Sequence, residues 1–258
     1  MTAIAGTGAA VAGQNRSPAP DAHGRYLPDM VEILPGSLEV HRARSHAGTR
    51  TLLAFAGAAN NAGAGPLIIR GSRPSRAYAT MSATQIVKRA DGKVDRVPNV
   101  GTLRYRSGGG HSHWHLVGFM RYELRTTGGA SLGRRDQKAG YCLGDRYMAD
   151  RDRPGEPGSP AFTGHCGLNR PGLLSVKEGI SVGYGDGYGA NLGGQFIDIT
   201  GLRSGRYTLV LGVNPNHRLV DLYSGNDASS LLFQLVTGRH AHATILKWCT
   251  NTERCNRR

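Results

Sequence analysis

Along this chain apolar residues cluster in short runs or alternate with polar ones, and no stretch keeps a 3.6-residue spacing, so the pattern predicts strands joined by turns. Leu52, Leu53, Ala54 and Phe55 read as one strand and Pro66 to Ile69 as the start of another, with Asn60 to Gly65 as the turn between them. Further strands are expected over Thr102 to Arg106, Leu116 to Leu124, Gln195 to Ile199, Tyr207 to Val213 and Leu231 to Val236. Turn dipeptides punctuate them at Thr127 to Gly129, Arg203 to Gly205 and Asn214 to Asn216, and Asp150 to Pro160 has the charge, Pro and Gly content of an exposed loop. The expected class is mostly β, a single domain with a β-sandwich-like core and long Gly-rich loops.

Composition sharpens this picture in three ways. The 258 residues include 38 glycines without any Gly-X-Y period, which excludes collagen and fits many turns. Lys plus Arg (32) less Asp plus Glu (18) leaves a net charge of +14, which suits polyanionic partners such as anionic cell-surface polymers. The basic residues are spread along the chain with no recognition motif, so no specific nucleic acid is expected. No run of about 18 or more apolar residues offers a membrane span. Residues 1–24 carry no periodic pattern, and the first fourteen are uncharged and small, as at the end of a signal peptide; they are expected to be a flexible leader before a domain over 25–258. Four cysteines form no Cys-x-x-Cys pair, which favours two disulfides over a four-sulfur zinc site and points to a secreted or extracellular protein.

The candidate chemistry begins at His111-Ser112-His113-Trp114-His115, which follows three glycines and precedes an apolar run. On a strand, alternate residues share a face, so three imidazoles would line one side and converge on one ion. Imidazole suits copper, zinc, iron and nickel, and three histidines with an open position form a catalytic arrangement. A cupin-type site would need a carboxylate soon after the His-x-His pair, and Glu123 stands too far along. A three-His zinc hydrolase, a non-enzymatic copper- or zinc-binding secreted protein and a merely polar strand face all remain open at this point. Two further stretches, Lys138 to Asp145 and Gly179 to Tyr188, read by composition alone as Gly-rich loops in which backbone segments can approach closely.

Taken in order, these elements resemble the catalytic domain of the lysyl oxidase family of copper amine oxidases. The resemblance runs from about Tyr26 to Cys255, through Leu27-Pro28-Asp29-Met30, the three histidines, Lys138 with the Tyr141-Cys142-Leu143 element, and Gln195 to Thr200. It ends in Gly205-Arg206-Tyr207, Val213-Asn214-Pro215 and Asn226-Asp227. The resemblance implies copper at His111, His113 and His115, and a self-derived lysine tyrosylquinone formed from Lys138 and Tyr188. It implies disulfides pairing Cys142 with Cys166 and Cys249 with Cys255. Some members bind calcium, and Asp29, Asp221, Asn226 and Asp227 match that pattern, whereas Tyr223 stands where an aspartate is usual. Gln137 stands where vertebrate members carry a histidine.

The reaction so implied takes a primary amine, peptidyl lysine included, and oxygen to an aldehyde, ammonia and hydrogen peroxide. Asp186, two residues before Tyr188, is the candidate general base; its other reading is a carboxylate that stabilises a Gly-rich turn. A chain of charge +14 repels lysine-rich polymers within a Debye length of about 10 Å at 0.1 M salt. Small primary amines, or lysines on an otherwise anionic surface, are therefore the expected substrates.

Overall fold

The computed structural model describes residues 17–45, 48–108, 112–136, 138 and 140–255. His111 and Gln137 lie outside the described residues, as does most of the expected leader. In chain order the strands are β1 (Arg25–Tyr26), β2 (Met30–Ile33), β3 (Leu38–Ser45), β4 (Gly48–Phe55), β5 (Gly57–Asn61) and β6 (Leu67–Ser72). They continue with β7 (Thr80–Arg89), β8 (Val94–Arg106), β9 (His113–Leu116), β10 (Met120–Thr126), β11 (Ser131–Arg135) and β12 (Tyr147–Met148). The last are β13 (Ser175–Ile180), β14 (Tyr184–Tyr188), β15 (Phe196–Asp198), β16 (Gly205–Val213), β17 (Ala228–Val236) and β18 (His242–Cys249). A single 3-10 turn, Ser224–Asn226, is the only helical element among the described residues, and no helix there is long and apolar enough to cross a membrane.

The strands form four antiparallel sheets, ordered β13-β6-β7-β8-β9 with β1 on β7, β11-β10-β16-β17-β18, β12-β14-β5-β2, and β15-β4-β3. One apolar core joins them: Met30 and Ala59, Phe55, Ile69 and Leu103, and Leu211 and Phe233 come from all four sheets and are almost fully buried. Burying each large aliphatic or aromatic side chain contributes about 1.5–3 kcal/mol, which is what holds sheets of such different pairing together. The mostly β expectation is met.

Three local expectations are corrected. Asn60 and Asn61 belong to β5, because β2 and β14 pair with it on both sides, and the turn is confined to the residues after Asn61. The run Leu116 to Leu124 is not one strand: β9 ends at Leu116, Gly118 takes a positive φ of 76°, and β10 starts at Met120 in another sheet. The stretch ending at Tyr188 is no loop, because Tyr184–Tyr188 forms β14 between β12 and β5, and Asp186 therefore sits on a strand rather than in a Gly-rich turn.

Candidate active site

The histidine strand and the lysine segment are fastened together by backbone. Leu116 N–H donates to the Tyr141 carbonyl at 2.8 Å and Tyr141 N–H to that of Leu116 at 3.0 Å. Gly140 makes this approach feasible: its φ is +145°, and a Cβ there would stand 2.9 Å from both the His115 Cβ and the Leu116 oxygen. The Cys142–Cys166 disulfide and the Trp114 N–H bond to the Cys166 carbonyl (2.9 Å) tie a third segment to the same strand. Buried Asp145 then clamps the lysine segment to β14's approach, accepting Ala161 N–H (2.8 Å), Phe162 N–H (3.0 Å), and the Ser181 N–H and hydroxyl (2.7 and 2.8 Å).

These fastenings frame a cavity of about 360 Å3 lined by His113, His115, Lys138, Gly140, Cys142, Arg146, His165, Asp186, Gly187, Tyr188 and Leu192. His113 and His115 share one face of β9, their ring centroids 4.6 Å apart. Lys138 Nζ stands 4.5 Å from the centre of the Tyr188 ring and 5.2 Å from that of Tyr141. The Tyr188 hydroxyl donates to Asp186 Oδ2 at 2.7 Å and lies 3.4 Å from the Cys142 carbonyl, while Gly144 N–H donates to the same carboxylate oxygen at 3.1 Å. Arg146 Nε lies 4.0 Å from Asp186 Oδ1.

Burial sets the titration of this group. Desolvation lowers the Lys138 amine to about 8, against the pull of Asp186 and Asp136. Desolvation likewise raises Asp186 to about 6, opposed by the Tyr188 hydrogen bond and Arg146. It holds the Tyr188 phenol well above its ordinary value, with the Asp186 charge adding to the effect. Behind Tyr188, register places Gly57 opposite it on β5, and the Tyr122 hydroxyl fills the space where a Gly57 Cβ would be. The buried Tyr141 ring packs edge-on to Tyr188 with centroids 4.8 Å apart.

A second cluster joins residues almost two hundred positions apart. Asn226 Nδ2 donates to Asp29 Oδ1 at 2.9 Å, and Met30 N–H to Asp221 Oδ1 at 3.1 Å. The loop bearing Asp221 is pinned by Gln85, whose side chain brackets Val220 with two 2.8 Å bonds, and by Asn214, which does the same for Leu219 at 3.0 and 3.1 Å. Both oxygens of buried Asp227 and the Asn226 Oδ1 have no hydrogen-bond partner among the described residues. Burial, then mutual repulsion, raises the Asp221 carboxyl, and burial raises that of Asp227. Tyr223 is largely exposed at 61% and adds no carboxylate.

The structure thus brings together His113, His115, Lys138, Tyr188 and Asp186 in one place, and Asp29, Asp221, Asn226 and Asp227 in another. Both implied disulfides are present, Cys142–Cys166 and Cys249–Cys255. Sequence reasoning did not single out Arg146 or His165 as cavity residues; the nearest signal was their closeness in sequence to Cys142 and Cys166.

A family model described as Lysyl oxidase matches residues 80–241, more than half of the chain. The chain belongs to the lysyl oxidase family. Among curated relatives it is 28% identical over 157 residues to lysyl oxidase homolog 1 of Homo sapiens, covering 60% of this chain and 25% of that protein. It is 28% identical over 135 residues to protein-lysine 6-oxidase of Homo sapiens (52% and 28% coverage) and 29% over 140 residues to lysyl oxidase homolog 3B of Danio rerio (53% and 15%). The match therefore spans about a quarter of the first of these relatives. The relatives named protein-lysine 6-oxidase make this a family of oxidoreductases.

Proposed function

We propose that this protein is a copper- and quinone-dependent amine oxidase that converts primary amines, peptidyl lysine among them, to aldehydes with release of ammonia and hydrogen peroxide. The observation that carries this reading is the Lys138 amine 4.5 Å from the Tyr188 ring centre, in a cavity that also holds His113 and His115. The residues fit the groups required: neutral imidazoles on one strand face are copper donors, with His111 as the third. Lysine tyrosylquinone would derive from Lys138 and Tyr188. Copper supplies one-electron chemistry with oxygen, and the quinone supplies an electrophilic carbonyl and a two-electron sink.

The chain's own residues do the rest. With its amine held at about 8, Lys138 has about a tenth of its population neutral at pH 7, so it is a competent nucleophile beside the ring. Asp186 is mostly ionised at that pH and accepts the Tyr188 hydroxyl proton. It is also the one carboxylate lining the cavity among the described residues, which makes it the base for the substrate's α-proton. The Cys142 carbonyl and Gly144 N–H hold the phenol and carboxylate in register.

Calcium at Asp29, Asp221, Asn226 and Asp227 belongs to the same proposal. Unpartnered buried oxygens and crowded carboxylates suit a hard cation that takes oxygen ligands. The two disulfides support secretion, where such bonds persist. The test is peptide mass mapping after copper loading in air: one crosslinked species joining the Lys138 and Tyr188 peptides is expected. Both peptides unmodified in copper-replete protein would overturn the oxidase reading in favour of metal binding or hydrolysis.

A further inference from the structure

The mouth of the cavity has an unusual charge pattern. Antiparallel register sets Arg104 of β8 directly opposite His115 and Arg106 opposite His113. Directly opposed residues of such a pair point to the same face, with Cβ atoms about 4.5–5.5 Å apart. Trp114 and Leu116, between and beyond the histidines, are buried on the other face, so both arginines flank the imidazoles on the cavity side, and both are exposed. Neither forms an ion pair with any described residue, and neither faces a compensating acid within its own segment. Arg146, on the cavity wall, differs from them in having Asp186 Oδ1 4.0 Å from its Nε.

The acids avoid the same surface. No Asp or Glu occurs from 96 to 122, which covers most of β8, all of β9 and the turn after it. Among the described residues the one carboxylate lining the cavity is Asp186, which is buried, bonded to Tyr188 and Gly144 and 4.0 Å from Arg146, so it offsets that arginine and leaves Arg104 and Arg106 uncompensated.

We propose that Arg104 and Arg106 form a docking rim for an acidic stretch of polypeptide, so that the preferred substrate is a lysine flanked by aspartate or glutamate. The substrate class rests on the oxidase reading; the docking does not. The geometry favours a polypeptide over a phosphate or sulfate polymer. Arg104 and Arg106 are alternate residues of one strand, about 6.5–7 Å apart, the spacing at which alternate side chains of an extended acidic segment would meet them. A lysine carries its amine on a four-carbon tether, which lets the substrate backbone stay at the rim while the amine enters. A simple polyanion would fill the rim and leave the cavity empty. Guanidinium forks suit carboxylates in two-point contact.

The experiment uses the full chain, copper-loaded in air. Binding is read by fluorescence anisotropy of labelled peptides in which norleucine replaces the central lysine, with acidic, neutral or basic flanks; turnover is read as peroxide from the matching lysine peptides and from butylamine. The acidic peptide should bind about tenfold tighter than the neutral one and weaken with salt. R104Q/R106Q should lose about fivefold of that affinity and raise KM for the acidic lysine peptide alike, with butylamine oxidation and copper content unchanged. Equal binding of all three peptides, or an unchanged preference in R104Q/R106Q, overturns the proposal. Tighter binding of a sulfated polysaccharide than of the acidic peptide, lost in the same variant, overturns it in favour of a polymer partner. Arginine-dependent peptide binding with no peroxide from any amine would keep the docking rim and overturn the oxidase reading.

Discussion

The two polar clusters of this molecule solve opposite electrostatic problems. The cavity gathers nitrogen donors, a phenol and an amine around one carboxylate, and burial pushes the amine down and the acid up until both titrate within reach of neutral pH. The Asp29, Asp221 and Asp227 cluster gathers carboxylates with no lysine or arginine paired to them among the described residues, and the His217 Nδ1 lies 3.7 Å from Asp227. The first arrangement is balanced by its own residues and is ready for proton and electron chemistry. The second is unbalanced and gains most from an added ion. The fastenings differ accordingly: a disulfide and a backbone bridge hold the cavity, whereas side-chain amides of Gln85, Asn214 and Asn226 hold the acidic cluster.

If this contrast is right, the largest effect comes from the cavity's reacting pair. Tyr188→Phe and Lys138→Arg should each lower peroxide release by more than about a thousandfold while copper content and the circular dichroism spectrum stay near wild type. Substantial turnover in either would mean that the ring and amine meet only as packing. Next in size is the pH dependence of crosslinking. The reactive form of Lys138 is the neutral amine, whose fraction rises about tenfold per pH unit below its value of about 8 and levels off above it. Between pH 6 and 8 the crosslinking rate, followed by mass mapping at timed intervals, should rise by something on the order of fiftyfold. A flat profile would remove the amine from the slow step.

The histidines, lysine and tyrosine were legible because family spacing marks them in the one-dimensional chain, and the regular strands were legible because their apolar residues are contiguous. Tyr188 was legible as a residue but its strand was not. Gly185, Gly187 and Gly189 lower the intrinsic strand tendency of that stretch, and only pairing with β5 and β12 overrides it. Gln85 carried no signal at all, since its role is to hold Val220, 135 residues away. Asp186 was marked by its place two residues before Tyr188, but its row with Glu32, the two flanking Ala59 across β2, β5 and β14, depends on register alone and left no trace in the sequence.

The acidic cluster gives the third effect. Calcium at about 100 times its dissociation constant should stabilise the protein by about 2.7 kcal/mol, read as a rise in Tm, and Asp227→Asn should remove most of it without changing peroxide release. The sign of the pH effect checks the cause. With the folded-state carboxyls of Asp221 and Asp227 raised, the calcium-free protein binds more protons than the unfolded chain, so it loses stability as pH rises from the unfolded value through the folded one. Calcium should flatten that slope, and a slope unchanged by calcium would mean that the ion binds elsewhere.

The smallest effect separates burial from function. Glu32 is buried at 3% exposure in the same row as Asp186, yet neither of its carboxylate oxygens has a hydrogen-bond partner among the described residues, and desolvation alone raises it well above the usual carboxylate range. Its folded-state affinity for a proton exceeds that of the unfolded chain, so its contribution is most favourable in acid and is lost as pH rises from about 4.3 upward. Glu32→Gln keeps the shape but has no proton to lose, so its gain in stability over the wild type should be larger at pH 8 than at pH 5. Urea unfolding at the two pH values measures the difference. An equal gain at both would show that Glu32 binds its proton no more tightly in the folded protein than in the unfolded chain, and that burial by itself does not explain why the neighbouring Asp186 is raised.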